Sequence, residues 1–330
     1  MRKLALISTA LMVAALWGCG YVGAPLPPAL NIPVPIKDLT VEQRSGRIEI
    51  SFTPSLKSTD DLILKSLSGI ELRAGENPEA PAFDIHRWAA AAKRIDVPKA
   101  AAEPVKIEVP VAGWEEKDII FAVRSIGPGG RPGDWSQPVS LRVVEPPQAP
   151  AGLTAEATPG GVLLRWQPGG GPVRVYRKSG QDKEESVAGT AASGAEFLDT
   201  TAVFGVSYVY RVQRVIDTGG RGAVSELSTP VPISPVDTFA PAVPTGLIAQ
   251  AGIGVVEAAW DRNNEADLRG YQMWRAEGQA ELARFGEPVP TASFSDKSVK
   301  PGFRYRYAVS SVDQAGNESR PCDPVEVLFQ

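Results

Sequence analysis

Four oxygen-bearing side chains, Asp261, Asn263, Glu265 and Asp267, stand at alternate positions of the stretch WDRNNEADLRGY. Hard oxygen donors at that spacing are what a calcium loop supplies, though the stretch lacks that loop's glycine at the sixth place and glutamate at the twelfth. The same residues also suit a turn, in which Asn and Asp side chains bond nearby backbone. His86 is the single histidine, so a Ser–His–Asp or Cys–His centre would have to form around it. It stands in an alanine-rich stretch with neither Ser nor Cys beside it. Zinc sites of the His/Cys type need several such ligands, and no G-x-x-x-x-G-K-[ST] phosphate loop occurs. The residues therefore predict no catalytic centre, no cofactor, and no metal site beyond the weak set at 261–267.

Cys19 and Cys322 are the two cysteines, and if Cys19 carries lipid Cys322 has no partner, which excludes a disulfide framework. Arg2 and Lys3 precede an apolar run, Leu4 to Trp17, broken by Ser8 and Thr9 and followed by Gly18-Cys19. A basic start, a run of this length and a small residue before the cut make a secretory signal. The run is short for a membrane span, which needs about 20 apolar residues. Leu16-Trp17-Gly18-Cys19 resembles a bacterial lipobox, with Trp17 departing from the small or β-branched residue usual at that place. The resemblance implies acylation of Cys19 and cleavage just before it, and several acyl chains anchor firmly. Gly20, where retention in the inner membrane would call for Asp, points to the outer membrane. Residues 19–33 are a proline-rich tether with Pro25, Pro27, Pro28 and Pro33, a composition that favours an extended spacer.

Of 330 residues, 32 are Gly and 30 Pro, a level that favours many turns over long helices. The formal charge is −4; without Arg2 and Lys3 it is −4 − 2 = −6. That balance, with no basic block, gives no footprint for nucleic acid.

A repeat organises the rest. PAGLTA (150–155) matches PTGLIA (244–249), and Gly152 to Gly246 is 94 residues, as is Trp166 to Trp260. VRVYR (173–177) matches YQMWR (271–275), FLDT (197–200) matches FSDK (294–297), and YVYRV (208–212) matches YRYAV (305–309). A degenerate copy precedes them: IEISF (48–52), IELRA (70–74), IIFAVRS (119–125) and GRPGDWS (130–136). Alternating apolar residues in these segments predict half-buried antiparallel strands, separated by Gly and Pro turns.

These landmarks resemble the fibronectin type III family: a proline-rich entry, a Trp on the second strand, and a late Tyr-x-Tyr-x-Val strand. The resemblance implies an all-β chain of three tandem immunoglobulin-like β-sandwiches after the lipoprotein signal peptide of residues 1–18. The sandwiches are expected at 34–147, 148–236 and 237–330, the first carrying an insert at 75–105. Within the insert, Pro81 to Arg94 predicts about three helical turns, with Asp84 near the start and Phe83, Arg87 and Ala90-Ala91 on one face. Trp88 either packs on its own domain or, exposed, forms a candidate contact surface. Cys322 reads as a small apolar residue on the last strand.

The expected function is that of a non-enzymatic, exported lipoprotein, joined to a bacterial membrane through its lipid. It would act as an interaction or spacer module with a protein partner in the cell envelope. The alternative is an accessory protein binding carbohydrate or peptidoglycan, in which exposed Trp88, Trp114 or Trp135 would stack on sugar rings.

Overall fold

The computed structural model describes residues 30–78, 82–98, 103–192, 194–217 and 222–330. The expected signal peptide, Cys19 and most of the expected tether lie outside the described residues. The chain divides into two compact units, Met1–Glu145 and Pro146–Gln330.

In the first unit, β1 (Thr40–Arg44), β2 (Arg47–Phe52) and β5 (Val105–Pro110) pair antiparallel. Facing them is a sheet in the order β4 (Lys93–Ile95), β3 (Gly69–Glu76), β6 (Asp118–Ile126), β7 (Val139–Arg142). Strand alternation fills the space between. Ile48, Ile50 and Phe52 of β2 meet Ile70, Leu72 and Ala74 of β3 and Ile119, Phe121 and Val123 of β6. Strand β6 reads IIFAV without a polar break because it is buried on both faces. Its other face, with Ile120 and Ala122, lies under helix α1 (Ile85–Ala91), which contributes Trp88 and Ala89, joined by Ala92 and Trp135.

Helix α1 is shorter than the sequence predicts. Asp84 caps it, accepting from the backbone N–H groups of His86 (2.8 Å) and Arg87 (3.1 Å). It stops at Ala92 because Lys93, Arg94 and Ile95 pair with Ala74, Arg73 and Leu72 as a sheet strand. The buried face holds Trp88 and Ala89, whereas Phe83 stays exposed. Gly75 permits the approach: a Cβ there would stand 3.1 Å from the Ala92 Cβ and 3.3 Å from the Trp88 Nε1.

The second unit holds two further inter-sheet cores. Around the first, β8 (Thr154–Thr158), β9 (Gly161–Arg165) and β12 (Glu196–Asp199) face β11 (Ser186–Ala191), β10 (Val173–Ser179) and β13 (Tyr208–Ile216). Strand β15 (Val231–Ile233) pairs with the start of β13, and β14 (Ala223–Val224) with its end. Around the second, β16 (Ile248–Gly252), β17 (Val255–Ala259) and β20 (Ser293–Asp296) face β19 (Ala283–Val289), β18 (Leu268–Glu277), β21 (Arg304–Asp313) and β22 (Val325–Leu328). Trp166 and Trp260, one per core, fill the gap between sheets. The described residues are nearly all β, in sandwiches of the immunoglobulin-like, fibronectin type III layout.

Candidate functional site

The four residues of the 261–267 stretch do not converge on one point. The Asp261 carboxylate accepts from the Thr245 hydroxyl (2.9 Å) and sits where a Cβ on Gly246 would be. Glu265 accepts from the Ala242 backbone N–H (2.7 Å), and Asn263 donates to the Ala242 carbonyl (2.8 Å). Burial pushes the Glu265 carboxyl up, but the N–H groups it accepts from hold it below its usual range. These three side chains tie the loop to residues 242–245.

Asp267 does something else. Its carboxylate lies with those of Asp237 and Asp313 in a group whose ligand oxygens are all within 4.8 Å of one another. Asp313 is wholly buried at the end of β21, Asp237 half-buried, and Asp267 exposed. Asn317 binds the group together. Its backbone N–H and side-chain amide each donate to Asp313 at 2.8 Å, and the amide reaches Asp237 Oδ1 at 3.4 Å. An all-oxygen donor set of this kind suits a hard divalent cation. The sequence pattern could not find it, because the three residues come from segments 30 and 46 positions apart.

The most elaborate polar constellation occurs twice. Asp199, 2% exposed, accepts from Tyr210 (2.8 Å), Arg177 (2.8 Å) and the Thr201 hydroxyl (2.7 Å). Asp296, 1% exposed, accepts from Tyr307 (2.7 Å), Arg275 (2.8 Å) and the Ser298 hydroxyl (2.7 Å). Burial alone would raise both carboxyls; the hydroxyl and guanidinium donors outweigh it and hold both below the usual range. Burial and the adjacent carboxylate push the Tyr210 and Tyr307 phenols far above theirs. Beside each constellation a second tyrosine closes a corner: Tyr208 accepts from the Val203 N–H and Tyr305 from the Lys300 N–H, both at 3.0 Å. In the first unit the matching strand has Ile119 and Phe121, and Trp114 packs edge-on against Phe121 at 5.9 Å. These groups close the sandwiches, with each buried carboxylate, its phenol and one guanidinium nitrogen turned to one another.

A third motif passes unnoticed in the sequence. Ser136, Ser228 and Cys322 each follow their Tyr- or Phe-bearing strand, and each side chain accepts from a strand N–H, that of Val123 (3.2 Å), Val212 (3.0 Å) or Val309 (3.4 Å). The return bonds run from their own N–H groups to the same residues' carbonyls. Cys322 thus fills a structural serine position, and burial pushes its thiol up, which makes it a poor nucleophile.

The tryptophans turn inward. Trp88 is 7% exposed and its indole N–H reaches the Glu76 carbonyl at 3.3 Å, so as a contact surface it offers one edge, in a hollow of about 480 Å³ shared with Pro78, Asp84 and Arg87. Trp135 is 8% exposed beneath the Arg124 guanidinium, 4.3 Å from its ring centre. Trp274 is half-buried and donates to Ser310 at 2.8 Å. Among the described residues no tryptophan is exposed. His86 is exposed on α1. Among the described residues, no helix is long and apolar enough to cross a membrane.

No family model matches the chain. It is 36% identical over 84 residues to an amylopullulanase of Thermoanaerobacterium saccharolyticum, a match covering 25% of this chain and 6% of that protein. An amylopullulanase of Thermoanaerobacterium thermosulfurigenes is 32% identical over 84 residues, covering 25% and 4%. Exoglucanase B of Cellulomonas fimi is 29% identical over 183 residues, covering 52% and 16%. A solved structure of the FN1–FN3 domains of chicken CNTN1 aligns over 90% of this chain and 99% of its own, at 15% identity and a TM-score of 0.29. This chain therefore spans at most 16% of the length of these three curated relatives.

Proposed function

We propose that this chain is a non-enzymatic lipoprotein, held to a bacterial membrane through Cys19, that serves as an interaction or spacer module in the cell envelope, with the outer membrane its place. The observation that carries the reading is where the reactive side chains go. Around Asp199 and Asp296 the carboxylates, phenols and guanidinium groups are engaged with one another as ties within the sandwiches. What is left for a partner is surface: loops, and sheet edges such as β11 and β19, each at the end of its sheet. Such edges can take an added strand from another protein. The similarity to parts of much longer enzymes fits a module that works beside an activity supplied elsewhere.

The test begins with the anchor. Cys19→Ser is expected to abolish acyl labelling and release the chain from membranes; a variant that still fractionates with membranes in high salt would place the anchor elsewhere. Crosslinking in the native envelope should then capture a reproducible protein partner.

A second reading has its own support. The curated relatives are named for action on polysaccharides, so an accessory role in carbohydrate or peptidoglycan binding is the alternative. The buried Trp88 and Trp135 count against stacking by those two rings. Specific retention of the purified chain on starch, cellulose or peptidoglycan, with no protein captured in the envelope, would favour this reading over the first.

A further inference from the structure

The first described residues are held in a slot. Asn31 to Val34 run between the loop at 57–62 and the loop at 127–133. Val34 donates to the Lys57 carbonyl (3.0 Å), Thr59 to the Ile32 carbonyl (2.8 Å), and the Leu30 N–H to the Asp60 carboxylate (3.1 Å). Arg131 donates from the other side to the Leu30 carbonyl at 2.7 Å. Gly127 and Gly133 leave room for the backbone: a Cβ on either would run into the Asn31 or the Pro33 carbonyl oxygen.

This slot fixes what surrounds the point where the chain enters the unit. Leu30 is 50% exposed, Leu62 49% and Ile63 77%. Scattered single apolar residues on a surface are ordinary, but neighbours on one pole mark a contact. The loop that carries them is tightly built. Ser58 donates to the Leu62 carbonyl (2.9 Å), Lys57 bridges to Ile63, and Asp61 is paired with Lys57 at 2.7 Å. Asp60 accepts from Ser58 and from the Leu30 N–H, Asp61 stays exposed beside its Lys57 partner, and Lys65 stands exposed beside Leu64.

We infer that Leu30, Leu62 and Ile63 form a bilayer contact, entering the headgroup region of the membrane that holds the lipid of Cys19; the inference rests on the reading that Cys19 is acylated. Connectivity argues for that occupant. Ten residues lie between Cys19 and Leu30, a span of at most ~40 Å, so an anchor at Cys19 keeps this pole within that reach of lipid. Confinement raises the effective concentration of the surface, so a contact too weak to recruit the chain alone becomes populated. Exposed Lys65, beyond the Lys57–Asp61 pair, is the cation of this loop left to meet an anionic headgroup.

The test uses the full chain, acylated, in vesicles of phosphatidylethanolamine and phosphatidylglycerol. Cys322→Ser removes the free thiol at a position where the other two cores carry serine. An environment-sensitive fluorophore is then placed on Ile63→Cys or, as control, on Ile253→Cys, a fully exposed hairpin tip of the third core. The expected result is a blue shift and loss of iodide quenching at 63 and neither at 253. Water-like emission at both positions on a chain that floats with the vesicles would overturn the contact and leave the anchor standing, with the tether acting as a stiff stand-off. A chain that takes up no acyl group and does not float would overturn the anchor, and the contact falls with it.

Discussion

Asp199 and Asp296 are the residues on which the two later cores are most exposed to chemical change. Each is nearly sealed from water and each carries a full charge that one arginine and two hydroxyls balance. An amide there leaves the guanidinium without a counter-charge and turns an NH2 donor toward groups that are themselves donors. Asp199→Asn and Asp296→Asn are each expected to lower stability by about 3 kcal/mol in denaturant titration. Acid acts on the same groups. Their folded-state values lie below the unfolded value of ~3.9. The stability they contribute is therefore complete above that value and disappears as pH falls through the lower, folded one. Thermal midpoints should hold steady from neutrality to about pH 4 and drop below it, and the double variant should show a shallower drop. An equally steep acid limb in the double variant would mean that other carboxyls govern it.

At the scale of elements, helix α1 and strand β6 explain each other. A sandwich strand with one wet face should alternate; IIFAV does not, and the reason is the helix lying over it. The strands were legible in the sequence because their period of two and their turns are local signals, repeated at a spacing of 94. The helix was legible as a helix from its alanines, but its end was not. Lys93 to Ile95 leave it for a pairing with β3, a tertiary preference that outweighs local propensity. The acidic group of Asp237, Asp267 and Asp313 was legible only at Asp267, since nothing local marks segments that meet through folding. The serine-like role of Cys322 was hidden because its two counterparts are a different residue. Trp88 pins the helix down, so Trp88→Ala should cost roughly 3 kcal/mol and expose the outer face of β6, raising binding of a hydrophobic dye. Unchanged stability would mean that the helix rests on the sheet without holding it.

Taken whole, the molecule repeats one solution with different means. The two later cores lock their corners with buried tyrosine, aspartate and arginine; the first does the same work with Trp114 on Phe121 and with a salt-bridged Glu71 between Arg73 and Arg124. Cores that share no side chains are free to drift apart in sequence, as the first has, while the strand plan persists.

The slot that receives residues 31–34 has a mechanical consequence. A protein fixed to a surface by its beginning feels any pull on its far parts first at that entry. Here the load falls on a few backbone hydrogen bonds and the Arg131 grip, not on a sheet. Drawn by its two ends in a single-molecule experiment, the chain should yield there first, with a short lengthening at low force before any sandwich opens. Gly133→Ala, which obstructs the seat of Pro33, should erase that early step and leave the later ruptures where they were; an early step that persists would locate the weak link elsewhere. The entry would then work as a fuse, giving a few residues of slack while the cores stay closed.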